Sequence, residues 1–241
     1  YYIAVPEDSP IKTVGDLKGK KIGVASFGSA AVPVVRSILR SAGIEPQSDT
    51  LIPVGVMDQA MAALKSGNVQ ALGLYDGIYF ALERAGFKFR YFHHPTLADF
   101  GNTVLFASDD TVKNKKDELC RFGRAYVKAM LFAVSNPEAA VQLYWKAVPT
   151  AKRGADDADA MKNGLAEVGP MIKVMDLGFP PKTKYGAVDR AAFEKYVDLN
   201  RQEGVITATP PLDALLTGDF IDCINNFDAD AIRKRAKEWK P

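Results

Sequence analysis

Two cysteines and two histidines are all that 241 residues hold of the side chains on which most metal sites and much nucleophilic catalysis are built. Cys120 and Cys223 stand far apart with no zinc-ligand spacing around them. They form no disulfide scaffold. Two readings stay open for them: a single bond in an oxidising compartment, or two buried free thiols. His93 and His94 are adjacent, between a strand-like run and Pro95. Neighbouring side chains on extended backbone point opposite ways, so they chelate poorly, and no spacing brings either a nucleophile or a carboxylate. A strand end meeting a loop is the expectation there. Charge of one sign is also missing. Lysine plus arginine total 31 against 29 aspartate plus glutamate, a net of +2, which leaves little of the electrostatic footprint of a nucleic-acid binder. No run approaches the ~18 consecutive apolar residues of a membrane span. There is no G-x-S-x-G elbow, no Walker lysine and no dinucleotide fingerprint. Neither an enzyme, a metal nor a cofactor is expected.

What the chain does have is material for a core, with 47% hydrophobic and 25% charged residues. It opens on Tyr1-Tyr2-Ile3-Ala4-Val5, a strand already under way with no methionine or signal-like region ahead of it. A removed targeting segment and a fragment both account for that start.

Residues 20–92 alternate regularly. A β-prone run at 21–25 leads through the loop Ser26-Phe27-Gly28-Ser29 into a helical pattern carrying Ala31, Val34, Val35, Ile38 and Ala42, stopped by Gly43. Residues 51–55 form a strand that Pro53 pushes to a sheet edge. Asp58 reads as the cap of a helix over 59–66, and 71–75 as the next strand. Asp76 caps a helix closed by Gly86, and 87–92 alternates at period two. This is a parallel sheet with covering helices, in one α/β lobe.

Beyond it, 102–107 reads as a strand and then helices dominate. Leu119, Phe122, Tyr126, Met130 and Ala133 make an apolar stripe. Asn136-Pro137-Glu138 opens a second helix, 155–157 a third that ends near Val168, and 169–188 is irregular. A helix over 189–202, a short one after Pro211 and a last one capped by Asp228 complete the pattern.

Three loops fall on the strand-end rim where open α/β sheets bind ligands. Ser26–Ser29 opens a helix, where unpaired backbone donors and the positive dipole end suit a small anion or polar group. Gly28 permits close approach, and the hydroxyls of Ser26 and Ser29 add donors. Met57 precedes Asp58, and Tyr75-Asp76 follows the third strand. Each has a plain capping explanation by itself; together on one rim they favour a binding site.

The order of motifs resembles the solute-binding proteins of ABC importers, in the branch that handles nitrate, sulfonates, taurine and aminopyrimidine thiamine precursors. Ser9-Pro10-Ile11-Lys12 and Asp16-Leu17-Lys18-Gly19-Lys20-Lys21-Ile22-Gly23-Val24 carry the likeness, with the glycine-serine loop, Ala42-Gly43-Ile44 and the stretch 62–71. Tyr185-Gly186, Phe193-Glu194-Lys195-Tyr196, Gly204-Val205-Ile206 and Gly218-Asp219-Phe220-Ile221 continue it. The resemblance implies a type II periplasmic-binding clamshell lacking the N-terminal part of its first lobe. An inserted lobe would span 14–96; residues 1–13 and 97–241 would form the other, with crossings near Thr13 and Asn102. It implies ligand contacts from Ser26, Phe27, Gly28, Ser29, Met57, Tyr75, Asp76 and Asn102 in an interlobe cleft. The ligand would be a small polar organic solute and the partner an ABC permease. The protein would be a monomer, periplasmic or lipid-anchored, with no nucleic acid. Asp76 suits an N–H donor and the helix terminus an anion, so ligand identity stays open. The alternative is the effector-binding domain of a transcriptional regulator, and an enzyme on this scaffold is the third reading. The fungal pyrimidine synthase of similar fold needs a histidine and a cysteine cluster that this chain lacks.

Overall fold

A computed structural model describes residues 1–95, 104–177 and 184–240. In chain order the elements are β1 (Tyr2–Pro6), β2 (Ile22–Val24), α1 (Ala31–Ser41), β3 (Leu51–Pro53), α2 (Asp58–Lys65), β4 (Ala71–Leu74), α3 (Asp76–Arg84) and β5 (Phe89–Phe92). Helices follow: α4 (Asp109–Asn114), α5 (Lys116–Ser135), α6 (Pro137–Ala147), α7 (Asp157–Met175), α8 (Arg190–Gln202), α9 (Leu212–Leu215), α10 (Ile221–Asn225) and α11 (Ala229–Lys237). Two compact units divide them: Tyr1–Asn102 with Asp189–Leu212, and Thr103–Val188 with Asp213–Pro241.

The first unit is built on one sheet in the order β3-β2-β4-β1-β5. β2 runs parallel to both β3 and β4, whereas β1 lies antiparallel between β4 and β5. Alternation sorts the side chains. Ile3, Val5, Ile22, Val24 and Phe92 pack with α1 and with Leu199 of α8 on one face. Ala4, Leu72 and Leu74 pack with α2 and α3 on the other. Two strand glycines set how closely the layers approach. A Cβ on Gly73 would lie 2.4 Å from Val35 of α1, and one on Gly23 2.7 Å from Val54. Pro53 sits in an edge strand, where its missing donor is harmless.

The expected all-parallel sheet is therefore mixed. This unit takes in β1 and α8, which the 14–96 boundaries leave to the other lobe. Ile3, Ala4 and Val5 are fully buried, which only a central strand covered on both faces provides. Helix α8 is fastened by charge as well as by Leu199. The Arg40 guanidinium of α1 makes a fork on Glu45 (2.7 and 3.0 Å) and also holds Glu203, the residue closing α8. The two carboxylates raise the Arg40 pKa further above its ordinary range.

The second unit contains no strand among the described residues. Residues 104–107, expected as a strand, form none; with no sheet beside them their apolar side chains lie exposed, Phe106 at 94%. Caps read from sequence recur in its helices: Asn136 accepts the N–H of Ala139 and Asp228 that of Ala231. Two expectations change. Helix α7 continues past Val168 through Pro170 to Met175, because Val168, Ile172 and Met175 keep a half-buried helical stripe across the one lost donor. In α5 the buried face is Gly123, Val127 and Leu131, while Phe122 and Tyr126 are exposed. Gly123 decides that phase: a Cβ there would lie 2.6 Å from Ile224 of α10, so only glycine admits it. Cys120 and Cys223 form a disulfide joining α5 to α10, which settles the open alternative.

Arg40→Ala leaves Glu203, its side chain only 3% exposed, without its counter-charge. The expected cost is about 2 kcal/mol, discounted because Arg40 itself is partly solvated. Urea denaturation would read it, and Glu203→Gln in the same background should restore part of the loss.

Candidate functional site at the strand rim

The connections of the first unit diverge between β2 and β4. From β2 the chain goes by way of α1 to β3 on one side; from β4 it goes by way of α3 towards β5 on the other. α1 covers one face, α2 and α3 the opposite one. In open α/β sheets such a divergence is where ligands bind, outside the carboxyl ends of the two parallel strands. Ser26–Ser29 follows β2 and Tyr75-Asp76 follows β4, and neighbouring strands are about 5 Å apart. The structure thus brings these two loops together; Met57, after β3, lies one strand further out.

The first loop is a tight turn feeding α1. The Ser29 N–H donates to the Ser26 carbonyl (3.1 Å), and the Ser29 hydroxyl accepts from the Ala31 N–H (3.2 Å). Ala30 already has helical backbone (φ −60°, ψ −13°), and Ser29 ahead of it makes the capping bond, as its sequence position suggests. Gly28 is exposed, and a Cβ there would meet only the Ser26 hydroxyl at 3.9 Å. The fold places no demand for glycine at this position. Phe27 stands beside it, 61% exposed.

Met57, rather than Asp58, caps α2. Its backbone (φ 50°, ψ −122°) makes it the one non-glycine of positive φ among the described residues. That conformation costs about 1–3 kcal/mol for a side chain with a Cβ. Tyr75 caps α3 from extended backbone, with the Tyr1 ring edge-on at 6.2 Å. Asp76 is the first residue of α3, exposed, its Oδ1 accepting the Gly77 N–H at 3.0 Å. Asn102 lies outside the described residues.

Sequence reading missed the support beneath this rim. The buried Tyr79 hydroxyl accepts the Leu74 N–H (3.0 Å) and donates to the Leu72 carbonyl (2.7 Å), pinning the end of β4 from which Tyr75 departs. Tyr2 stacks on Tyr79, and Tyr91 meets both edge-on, its hydroxyl donating to Glu83 at 2.5 Å. Burial first, then the Asp76 and Glu83 charges, push the Tyr2 phenol up to about 12. The period-two pattern at 87–92 was the available signal, since it sets Phe89 and Tyr91 on one face. The histidines belong to packing. His93 lies against the Tyr2 ring at 4.7 Å, and the Ser37 hydroxyl is 2.9 Å from His94 Nε2.

The positive end of a helix dipole, two hydroxyls, three exposed apolar or aromatic side chains and one carboxylate suit binding; the rim pairs no nucleophile with a base. Among the described residues no group of three His, Cys, Asp or Glu could hold a metal ion. No helix among them is long and apolar enough to cross a membrane.

A family model described as NMT1/THI5 like matches residues 1–140. An Escherichia coli K12 protein whose assigned name is aliphatic sulfonates-binding protein is 40% identical over 82 residues, 33% of this chain and 24% of that protein. Among solved structures, the periplasmic aliphatic sulphonate binding protein SsuA of Escherichia coli superposes with a TM-score of 0.57 at 25% identity, over 86% of this chain and 62% of that one. The alkanesulfonate-binding protein SsuA of Xanthomonas axonopodis pv. citri, bound to MOPS, gives 0.54 at 19% identity, over 87% and 65%. The chain thus spans less than two thirds of the length of these relatives. The likeness shows the fold, the α/β type II periplasmic-binding class.

Met57→Gly should relieve the backbone strain and raise stability by about 1 kcal/mol, the gain being reduced by the added freedom of the unfolded glycine. A lower urea midpoint in the variant would sink that account. A second expectation concerns acid. Burial lowers the His94 pKa, so the folded protein holds fewer protons than the unfolded one around the ordinary value of ~6.5. Stability is whole above that pH and declines as pH falls through it towards the folded pKa. Urea midpoints at pH 7.5 and 5.5 should differ less in His94→Gln than in the parent; an equal difference would assign the acid sensitivity elsewhere.

Proposed function

The chain belongs to the NMT1/THI5-like family, and from that premise we propose that it is a solute receptor of an ABC importer, working in the periplasm and binding a small organic sulfonate or a related polar organic anion. The observation that carries this reading is the topology, which sets the Ser26–Ser29 loop and Tyr75-Asp76 side by side at the carboxyl ends of the paired parallel strands β2 and β4. The Ser29 hydroxyl and carbonyl take the Ala31 and Val32 N–H groups and Pro33 has none, so what this loop offers an anionic head group is the positive end of the α1 dipole and the exposed Ser26 hydroxyl. Phe27, Met57 and Tyr75 offer apolar surface to an organic tail. Asp76 adds an acceptor for an N–H donor on the same ligand. The relatives reported above are binding proteins, and they lend no support to the regulator or enzyme readings. In the proposed cycle the solute is bound reversibly, its differential affinity for one conformation shifts the population, and a permease then takes it.

Thermal denaturation against alkanesulfonates, taurine, nitrate, aminopyrimidines and simple carboxylates is the direct test. A ligand at a hundred times its Kd adds about 2.7 kcal/mol, which for a chain of this size is about 5–10 °C. Gly28→Val serves as the site control. It should fold normally, since open space surrounds that position, yet lose about tenfold in affinity where the ligand approaches the backbone. A panel without any shift overturns the ligand class; a shift that Gly28→Val leaves intact moves the site off this loop.

A further inference from the structure

The two units are not held by the same forces. Each of the largest fully buried side chains, from Tyr79 to Val35, belongs to the first unit. The buried apolar residues described in the second are fewer: Val127, Leu131, Val141 and Ile224, with Ala139, Ala160 and Ala236. α10 has only five residues, too short to persist as an isolated helix. Besides the sulfur bond, Ile224 lodges over Gly123 and the Arg124 side chain donates to the Cys223 carbonyl at 2.8 Å. Its other fastenings are exposed or half-exposed, such as Lys184 with Asp222 at 2.5 Å. α11 follows directly and packs along α5, with Ala236 buried, Ile232 half-buried and the Asn136 side-chain amide donating to the Ala236 carbonyl at 2.7 Å.

We propose that the Cys120–Cys223 bond is a redox latch that keeps the arm formed by α10 and α11 on α5, and that a dithiol reductant frees this arm while the first unit stays folded. The bond spans 103 positions, so breaking it returns to the unfolded chain the freedom of a long loop. Both cysteines are half-buried, within reach of a small reductant. The step balances: a thiolate of the dithiol attacks one sulfur, the Cys120–Cys223 bond breaks and a mixed disulfide forms. The second thiol then displaces the remaining cysteine sulfur. The reductant leaves as a cyclic disulfide, and its two electrons and two protons end on the Cys120 and Cys223 thiols. This latch is independent of the ligand reading.

Hydrogen exchange read by mass spectrometry on the whole chain tests it, before and after dithiothreitol, with a gain of about 2 Da confirming reduction. Amides of 221–237 should exchange at least about tenfold faster once reduced, while those of β2 and β4 keep their rates. The pair Cys120→Ser with Cys223→Ser should behave like the reduced parent and ignore the reductant. Unchanged protection over 221–237 in the reduced protein overturns the latch, because Ile224 and α11 then suffice. Equal loss in β2 and β4 also overturns it, by making the bond a determinant of the whole fold. Where the double variant does not fold, the reduced parent, starting from folded oxidised protein, decides between these outcomes.

Discussion

The burial of β1 on both faces is the constraint on which the first unit rests. Ile3, Ala4 and Val5 sit at zero exposure between β4 and β5, so α1 and α8 must cover one side of the sheet and α2 and α3 the other. Each fully buried Val or Ile contributes about 1.5–3 kcal/mol relative to leaving it in water. Once that strand is seated, β4 has a fixed neighbour on each side, and its carboxyl end is aimed at the rim. Tyr79 then holds that end by two backbone hydrogen bonds. Position at the rim is thus inherited from the core rather than made by the loops themselves.

Residues at the rim show the reverse pattern. Phe27, Met57 and Tyr75 leave apolar surface in water, Met57 holds a backbone conformation that favours glycine, and Gly28 occupies a place where the fold would accept a side chain. Stability alone explains none of these choices. Departures from local consistency collect where a protein meets its ligand, and here three such departures share one edge of one sheet. The histidines point the other way: both are absorbed by ring packing and a serine hydroxyl, as residues of the scaffold are.

Much of the first unit was legible because each signal was local. Glycine stops, the period-two run at 87–92 and Pro53 at an edge need no knowledge of distant partners, and in the second unit the helix caps at Asn136 and Asp228 are equally short-range. The loops at Ser26–Ser29 and Tyr75-Asp76 were found by the same means, from strand ends followed by helix starts. What local reading could not reach was any choice between equivalent local options. Two apolar stripes run along α5, and the residue that selects between them, Gly123, does so only because Ile224 arrives from about a hundred positions away.

The sequence by itself determined the kind and order of most elements, which loops follow the strand ends, and the family resemblance, since all of these are written in neighbouring residues. Tertiary structure decided the rest. It placed β1 antiparallel inside the sheet, because a short apolar run carries no mark of its partner or direction. It left 104–107 without strand pairing, because a strand exists only where another backbone offers its donors and acceptors. It joined Cys120 to Cys223, because a disulfide depends on the distance between two helices and not on the spacing of two letters.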